Sequence, residues 1–249
     1  MPLDSIHFLP PRSRQPQSPL FVFFPGMDGT GRLFDSQIDR LATRFDVRCL
    51  AIPSNDRTDW TGMVDRSVNL ITREQSKGQD LYLCGESFGA CLAMQVAARL
   101  GRSVQKLVLI NPGSSFARFP LLAAGSALSS LLPDLMYPFS TRILVNFLIN
   151  ADRVAAIERQ HLIDAMLSVQ PQAASWRLNL LRQFPVDSIT SELIDIPAVL
   201  IAGEVDRLLP SVFEVRILQR LLPKSKLVLL PGSGHACLLE RDLYLADFI

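Results

Sequence analysis

The sequence predicts an α/β fold: a mostly parallel central sheet flanked by helices, with a helical cap inserted between two of its strands. Three observations predict it. Short, continuous apolar runs alternate with longer helical segments; each run is stopped by Gly, Pro or Asn; and the alternation lapses once, for about seventy residues, and then resumes. The 249 residues accommodate one large domain, 1–249, which should bury roughly 70–75% of the surface its unfolded chain exposes.

After a leader rich in Pro and Ser over residues 9–19, read as irregular, Leu20-Phe21-Val22-Phe23-Phe24 forms the first strand and Pro25-Gly26 stops it. A helix over 32–44 leads to a second strand from Val47 to Ile52, ended by Pro53. A helix over 60–76 precedes the third strand, Asp80 to Cys84. Phe88 to Leu100, rich in Ala, Leu and Met, is a helix that Gly101 closes. Leu107 to Ile110 is the fourth strand, closed by Asn111-Pro112-Gly113. From Ser115 to Phe184 the chain reads as helical and apolar, interrupted by Pro120, Pro133, Pro138 and Pro171. An insertion at 115–185 sits over the strand ends where open sheets bind ligands, so it reads as a lid. The alternation resumes with a strand from Ile196 to Ala202, a helix over 211–222, a strand from Lys226 to Leu230 and a terminal helix over 236–249.

Composition narrows the function classes. With 48% apolar residues, and 25 Lys and Arg against 24 Asp and Glu, the chain is neither disordered nor equipped with the cationic footprint that nucleic acid requires. Its longest stretch without a charged residue, Phe119 to Pro133, falls short of the ~20 apolar residues of a spanning helix. No transmembrane span is expected, and peripheral membrane contact through the cap is the alternative to a greasy packed helix. The N-terminus lacks the apolar run of a secretory signal, so the protein is expected not to be secreted. Cys49, Cys84, Cys91 and Cys237 form no Cys-x-x-Cys pair; they read as reduced and mostly buried, and neither a metal nor an organic cofactor is expected.

The sharpest local signal is Gly85-Glu86-Ser87-Phe88-Gly89, a Gly-x-Ser-x-Gly directly after a strand and directly before a helix. In that context Ser87 occupies a tight turn where Gly85 and Gly89 relieve crowding and the hydroxyl is presented at the top of the sheet. A Ser hydroxyl needs a base to take its proton. Of three histidines, His7 lies near the N-terminus and His161 in the insertion, while His235 follows the last strand in a Gly-rich loop. The base must be oriented by an acid, and the loop after the fifth strand offers Glu204 and Asp206. Asp206, deeper in the loop and just before the next helix, is preferred; Ser87, Asp206, His235 then appear in the chain order nucleophile, acid, base. Acyl transfer also needs hydrogen-bond donors at the developing oxyanion, each contributing about 3–4 kcal/mol. The N–H of Phe88 is one candidate, and the N–H of Met27, in the loop Phe24-Pro25-Gly26-Met27-Asp28-Gly29-Thr30-Gly31, is the other. That loop matches neither a dinucleotide fingerprint nor a P-loop, and Asp28 reads as a turn former. Leu121, Leu122, Leu128, Leu131, Leu132, Leu135, Met136, Tyr137, Phe139, Ile143, Leu144, Phe147, Leu148 and Ile149 exceed the needs of one helix face. Most should pack the lid onto the body and some line an acyl pocket. Cys91 reads as core.

Together these residues resemble the α/β-hydrolases, and within them the esterase, lipase and thioesterase branch that forms the hydrolase part of plastid phytyl ester synthases and their cyanobacterial relatives. The resemblance runs from about residue 19 to the end. Besides the motifs above it is carried by Val47-Arg48-Cys49-Leu50, Asn111-Pro112, Trp176-Arg177-Leu178, Asp206-Arg207-Leu208-Leu209-Pro210-Ser211 and Gly234-His235-Ala236-Cys237-Leu238-Leu239-Glu240. It implies a serine hydrolase acting on apolar acyl esters or thioesters, in the cytoplasm or the interior of a plastid or cyanobacterium. The plant members carry a further acyltransferase domain after the hydrolase part; the present sequence ends at Ile249, so hydrolysis is the reaction expected and acyl transfer to an alcohol the alternative. A non-catalytic lipid-binding protein on the same scaffold is the reading from another class.

Overall fold

A computed structural model describes residues 5–118 and 137–249. Its strands are β1 (His7–Phe8), β2 (Leu20–Phe24), β3 (Asp46–Ala51), β4 (Leu81–Glu86), β5 (Val104–Ile110), β6 (Ala198–Gly203) and β7 (Ser225–Leu230). They form one sheet in the order β1-β3-β2-β4-β5-β6-β7, parallel throughout except for β1, which runs antiparallel to β3. The helices are α1 (Asp35–Leu41), α2 (Trp60–Glu74), α3 (Phe88–Leu100), α4 (Ser115–Arg118), α5 (Tyr137–Leu148), α6 (Ala156–Ser168), α7 (Pro171–Arg182), α8 (Val186–Glu192) and α9 (Ser211–Leu221).

Every residue of β2, β3 and β6 is buried. This explains why β2 and β6 read as continuous apolar runs, while in β3 the buried Arg48 is matched by Asp46 and Glu74. The period of two sends alternate side chains to opposite faces. Leu20, Val22, Phe24, Leu83, Leu107, Leu109 and Leu200 join one core with α2, α3, α8 and α9, while Phe21, Phe23, Cys84, Val108, Ile110, Val199 and Ile201 join a second with α1 and the C-terminal segment. Helix α3 is buried on nearly all sides, which accounts for its Ala- and Leu-rich text. The pairings Phe24 with Gly85, Glu86 with Ile110, and Gly203 with Leu230 bring the carboxyl ends of five strands to one edge. The loops beginning at residues 25, 87, 111, 204 and 231 therefore converge there.

Helices α4 to α8 lie between β5 and β6 in the chain. Pro138 and Pro171, read as interruptions, instead fall in the first turns of α5 and α7, where a missing N–H costs nothing. Pro120, Pro133, the charge-free stretch Phe119 to Pro133, and Leu121, Leu122, Leu128, Leu131, Leu132, Leu135 and Met136 lie outside the described residues. Leu148 and Ile149 pack with Val154, Leu162 and Leu239 in a third cluster, whereas Ile143, Leu144 and Phe147 face solvent. Among the described residues no helix is long and apolar enough to cross a membrane.

One expectation is corrected and one strand is new. His7–Phe8 pairs with Ala51 and Leu50; two residues are too few for periodicity to register. The helix expected over 236–249 is replaced by two 3-10 turns, Cys237–Leu239 and Leu245–Asp247. The physical reason is Gln37. Its amide donates to the carbonyls of Leu238 and Leu243 and accepts from the N–H of Leu245, satisfying backbone groups that a helix would otherwise pair internally.

Candidate active site

Ser87 stands between β4 and α3 with φ 54°, a value that non-glycine residues rarely adopt. The flanking glycines make the turn feasible. A Cβ at Gly85 would collide with the backbone of Gly89, and one at Gly89 with the carbonyl oxygen of Phe24. Ser87 N–H donates to Ile110 O (2.9 Å) and its carbonyl accepts from Gly113 N–H (3.0 Å), tying the turn to the end of β5. The strained conformation is thus held from both sides.

The structure brings Ser87, His235 and Asp206 together. His235 Nε2 lies 2.9 Å from Ser87 Oγ, and His235 Nδ1 lies 2.7 Å from Asp206 Oδ2. Only 5% of the His235 side chain and 1% of that of Asp206 are exposed, so both contacts are shielded from water. Asp206 also accepts from the N–H groups of Leu208 (2.8 Å) and Leu209 (3.0 Å) and from the Ser211 hydroxyl, which freezes its carboxylate. Glu204, two residues away, is exposed. Burial raises the Asp206 pKa, but the charge and hydrogen bond of His235, with the Ser211 and Leu209 donors, outweigh it and hold the carboxyl below its usual range. For His235 burial lowers the pKa, and the charge and hydrogen bond of Asp206, helped by Glu86, carry it above the ordinary imidazole value.

Phe88 follows Ser87 directly in the chain, and the loop that carries Met27 starts beside it. A Cβ at Gly26, next to Met27, would stand 3.8 Å from Ser87 Cβ, so this loop lies against the turn. Among the described residues neither N–H is engaged by another group. Asp28 accepts from the N–H (2.8 Å) and hydroxyl (2.6 Å) of Thr30, as a turn former does. His7 contacts Ser5 O and His161 contacts Glu158, both away from this site. All four cysteines are buried thiols; burial pushes Cys49 up to about 12 and the others well above their ordinary value. No cluster of three or more His, Cys, Asp or Glu suited to a metal occurs among the described residues.

Several supporting residues had no assigned role in the sequence. Asn111, with φ 43°, accepts from Gly203 N–H (2.9 Å) and donates to His235 O (2.5 Å). Glu240 accepts from Gly234 N–H (3.0 Å), the Ser233 hydroxyl (2.8 Å) and Arg153 Nε (2.7 Å), clamping the loop before His235. A polar residue closing an apolar strand, and a carboxylate inside Cys237-Leu238-Leu239-Glu240, are the signals that could have found them. Glu86 carries a buried carboxylate oxygen, Oε1, with no hydrogen-bond partner, and burial pushes its pKa to about 7.

The family model described as "Alpha/beta hydrolase family" matches residues 21–248. The chain belongs to the alpha/beta hydrolase family. This alpha/beta hydrolase is similar to the chloroplastic phytyl ester synthase 1 of Arabidopsis thaliana, 30% identical over 262 aligned positions that cover 93% of the chain and 36% of the plant protein. It therefore spans little more than a third of that relative's length. It is also similar to the pimeloyl-[acyl-carrier protein] methyl ester esterase of Aeromonas hydrophila, at 23% identity over 88% of the chain and 89% of the esterase. Among solved structures, the enol-lactonase of Burkholderia xenovorans superposes with a TM-score of 0.76 at 14% identity, covering 93% of this chain and 89% of the lactonase. That likeness is one of fold.

Proposed function

We propose that this alpha/beta hydrolase cleaves carboxylic ester or thioester bonds of apolar acyl substrates through an acyl-enzyme. The observation that supports it most is the unbroken run of contacts from Ser87 Oγ through His235 to Asp206 at 2.9 and 2.7 Å. Ser87 Oγ attacks the acyl carbonyl while His235 Nε2 takes its proton. Asp206 holds the imidazole by Nδ1 and stabilises the imidazolium. The N–H groups of Met27 and Phe88 receive the oxyanion, and His235 then returns the proton to the leaving alcohol or thiol. Water, deprotonated by His235, releases the acid and restores Ser87.

In this reading the whole chain is one domain and residues 115–185 are a lid whose apolar side chains cover the acyl group, with its outer face in peripheral contact with a membrane. The proposed location is the cytoplasm or the interior of a plastid or cyanobacterium, the plastid being supported by the chloroplastic names of the plant relatives. A second reading, acyl transfer to an alcohol such as phytol in place of water, is favoured by the 30% identity to a phytyl ester synthase. Turnover of a chain-length series of p-nitrophenyl esters beside acyl-CoAs, with and without phytol, tests both. Fatty acid as the product supports hydrolysis, phytyl ester supports transfer, and no turnover of any ester or thioester removes the enzyme reading in favour of a lipid-binding role.

A further inference from the structure

Arg177 lies at the centre of the buried stripe of α7, formed by Ala173, Arg177, Leu180 and Leu181, and is fully enclosed. Its Nη1 donates to Met27 O (2.7 Å) and its Nη2 to Pro53 O (2.8 Å). Burying a guanidinium is costly unless its donors are matched, and its planar fork can meet carbonyls of two separate loops at once. Glycine at 29 leaves room for it, since a Cβ there would come within 2.8 Å of Nη1. The same loop is pinned from within: Gly29 N–H donates to Gly26 O (3.0 Å), and Ile52 N–H donates to Gly29 O (2.7 Å). A trans peptide points its N–H opposite to its carbonyl. Holding Gly26 O therefore fixes the Met27 N–H on the opposite side of that peptide from the Gly29 N–H, and holding Met27 O fixes the next peptide plane. One of the two planes flanking the Met27 Cα is thus set by the loop itself, and the other by a side chain from the helical insertion.

We infer that Arg177 is a positioning residue for the oxyanion site: by gripping the Met27 carbonyl from α7 it fixes the Met27–Asp28 plane and anchors the loop segment whose Met27 N–H the Gly29–Gly26 bond orients. The inference rests on the serine-hydrolase reading above. Its consequence is that the insertion contributes to transition-state stabilisation as well as covering the site. Loss of one oxyanion donor lowers kcat by about 10²–10³, and a donor that is present but misdirected loses part of that.

The test compares R177Q and R177K with W176F, which removes the bond from Trp176 Nε1 to Thr58 O (3.0 Å) that stitches the same helix to the neighbouring loop, together with part of the indole's packing. R177K keeps the charge but meets one carbonyl at a time, so it carries the comparison even where R177Q does not fold. With p-nitrophenyl butyrate both Arg177 variants should lose about 10- to 100-fold in kcat with KM within threefold. Affinity for a trifluoromethyl ketone, which mimics the tetrahedral intermediate, should weaken by the same factor. W176F should lower Tm and leave kcat intact. Retention of kcat within twofold by R177K, loss of kcat without weaker ketone binding, or an equal loss in W176F overturns this inference alone. Failure of the wild-type protein to label at Ser87 with a fluorophosphonate overturns the hydrolase reading and this inference with it.

Discussion

The side-chain amide of Asn111, at the end of β5, donates to the backbone carbonyl of His235 at 2.5 Å while its oxygen accepts from Gly203 N–H at 2.9 Å. One residue therefore couples the end of the strand beside the Ser87 turn to the loop that carries the imidazole. Replacing it leaves a buried N–H and a buried carbonyl without their partners, at a cost of about 1–3 kcal/mol. N111A should lower Tm by about 3–10 °C and kcat by at least tenfold with KM little changed. Thermal unfolding and steady-state kinetics on one ester measure both. A Tm equal to wild type would remove this residue from the account.

Asp206 and Glu204 are separated by one residue but differ in surroundings: the first is enclosed by four donors and the second faces solvent. D206N should reduce kcat by about 10³–10⁴, since the amide favours the wrong tautomer of His235. E204Q should stay within threefold of wild type. The reverse order of damage would transfer the acid role to Glu204.

The pKa of His235 is carried above the ordinary imidazole value, and only its neutral form can take the proton of Ser87. Activity should therefore fall as pH drops through that raised pKa, giving an acid limb of kcat/KM with a midpoint above 6.5. Removing Asp206 or Glu86 takes away a favourable negative charge, so D206N and E86Q should each move the midpoint to lower pH. An unmoved midpoint in both variants would exclude His235 as the titrating base.

Glu86 also links pH to stability. Its carboxyl titrates near 7 in the folded protein and near 4.5 when exposed, so the folded state binds the extra proton between these values. The wild-type protein consequently loses stability as pH rises from below 4.5 through 7. E86Q lacks this loss, and its Tm relative to wild type should rise by about 5–10 °C between pH 5 and pH 8. A constant difference across that range would show that burial does not raise this carboxyl.

Much of the architecture was legible in the sequence because its central strands are buried on both faces. Leu20 to Phe24 and Val199 to Ala202 need no tertiary information to be read as strands. The Ser87 turn was equally local, since Gly85 and Gly89 lie within two residues of it. Gln37, by contrast, dissolves an expected helix some two hundred residues away through bonds to Leu238, Leu243 and Leu245, and no local pattern announces such a contact. Arg177 is alike in this respect. It stood in a recognisable Trp176-Arg177-Leu178 segment, but its grip on Met27 spans 150 positions. Glu86 was legible as a letter of the motif and not as a carboxylate with one buried oxygen lacking a hydrogen-bond partner.

The central claim is that Ser87 is a nucleophile activated by His235. The most direct measurement is intact-mass and peptide analysis after incubation of the folded protein with a fluorophosphonate. One adduct per chain is expected, located on Ser87, absent in S87A and slowed by at least a hundredfold in H235A. A folded wild-type protein that takes up no label, or takes it up at another residue, would contradict it.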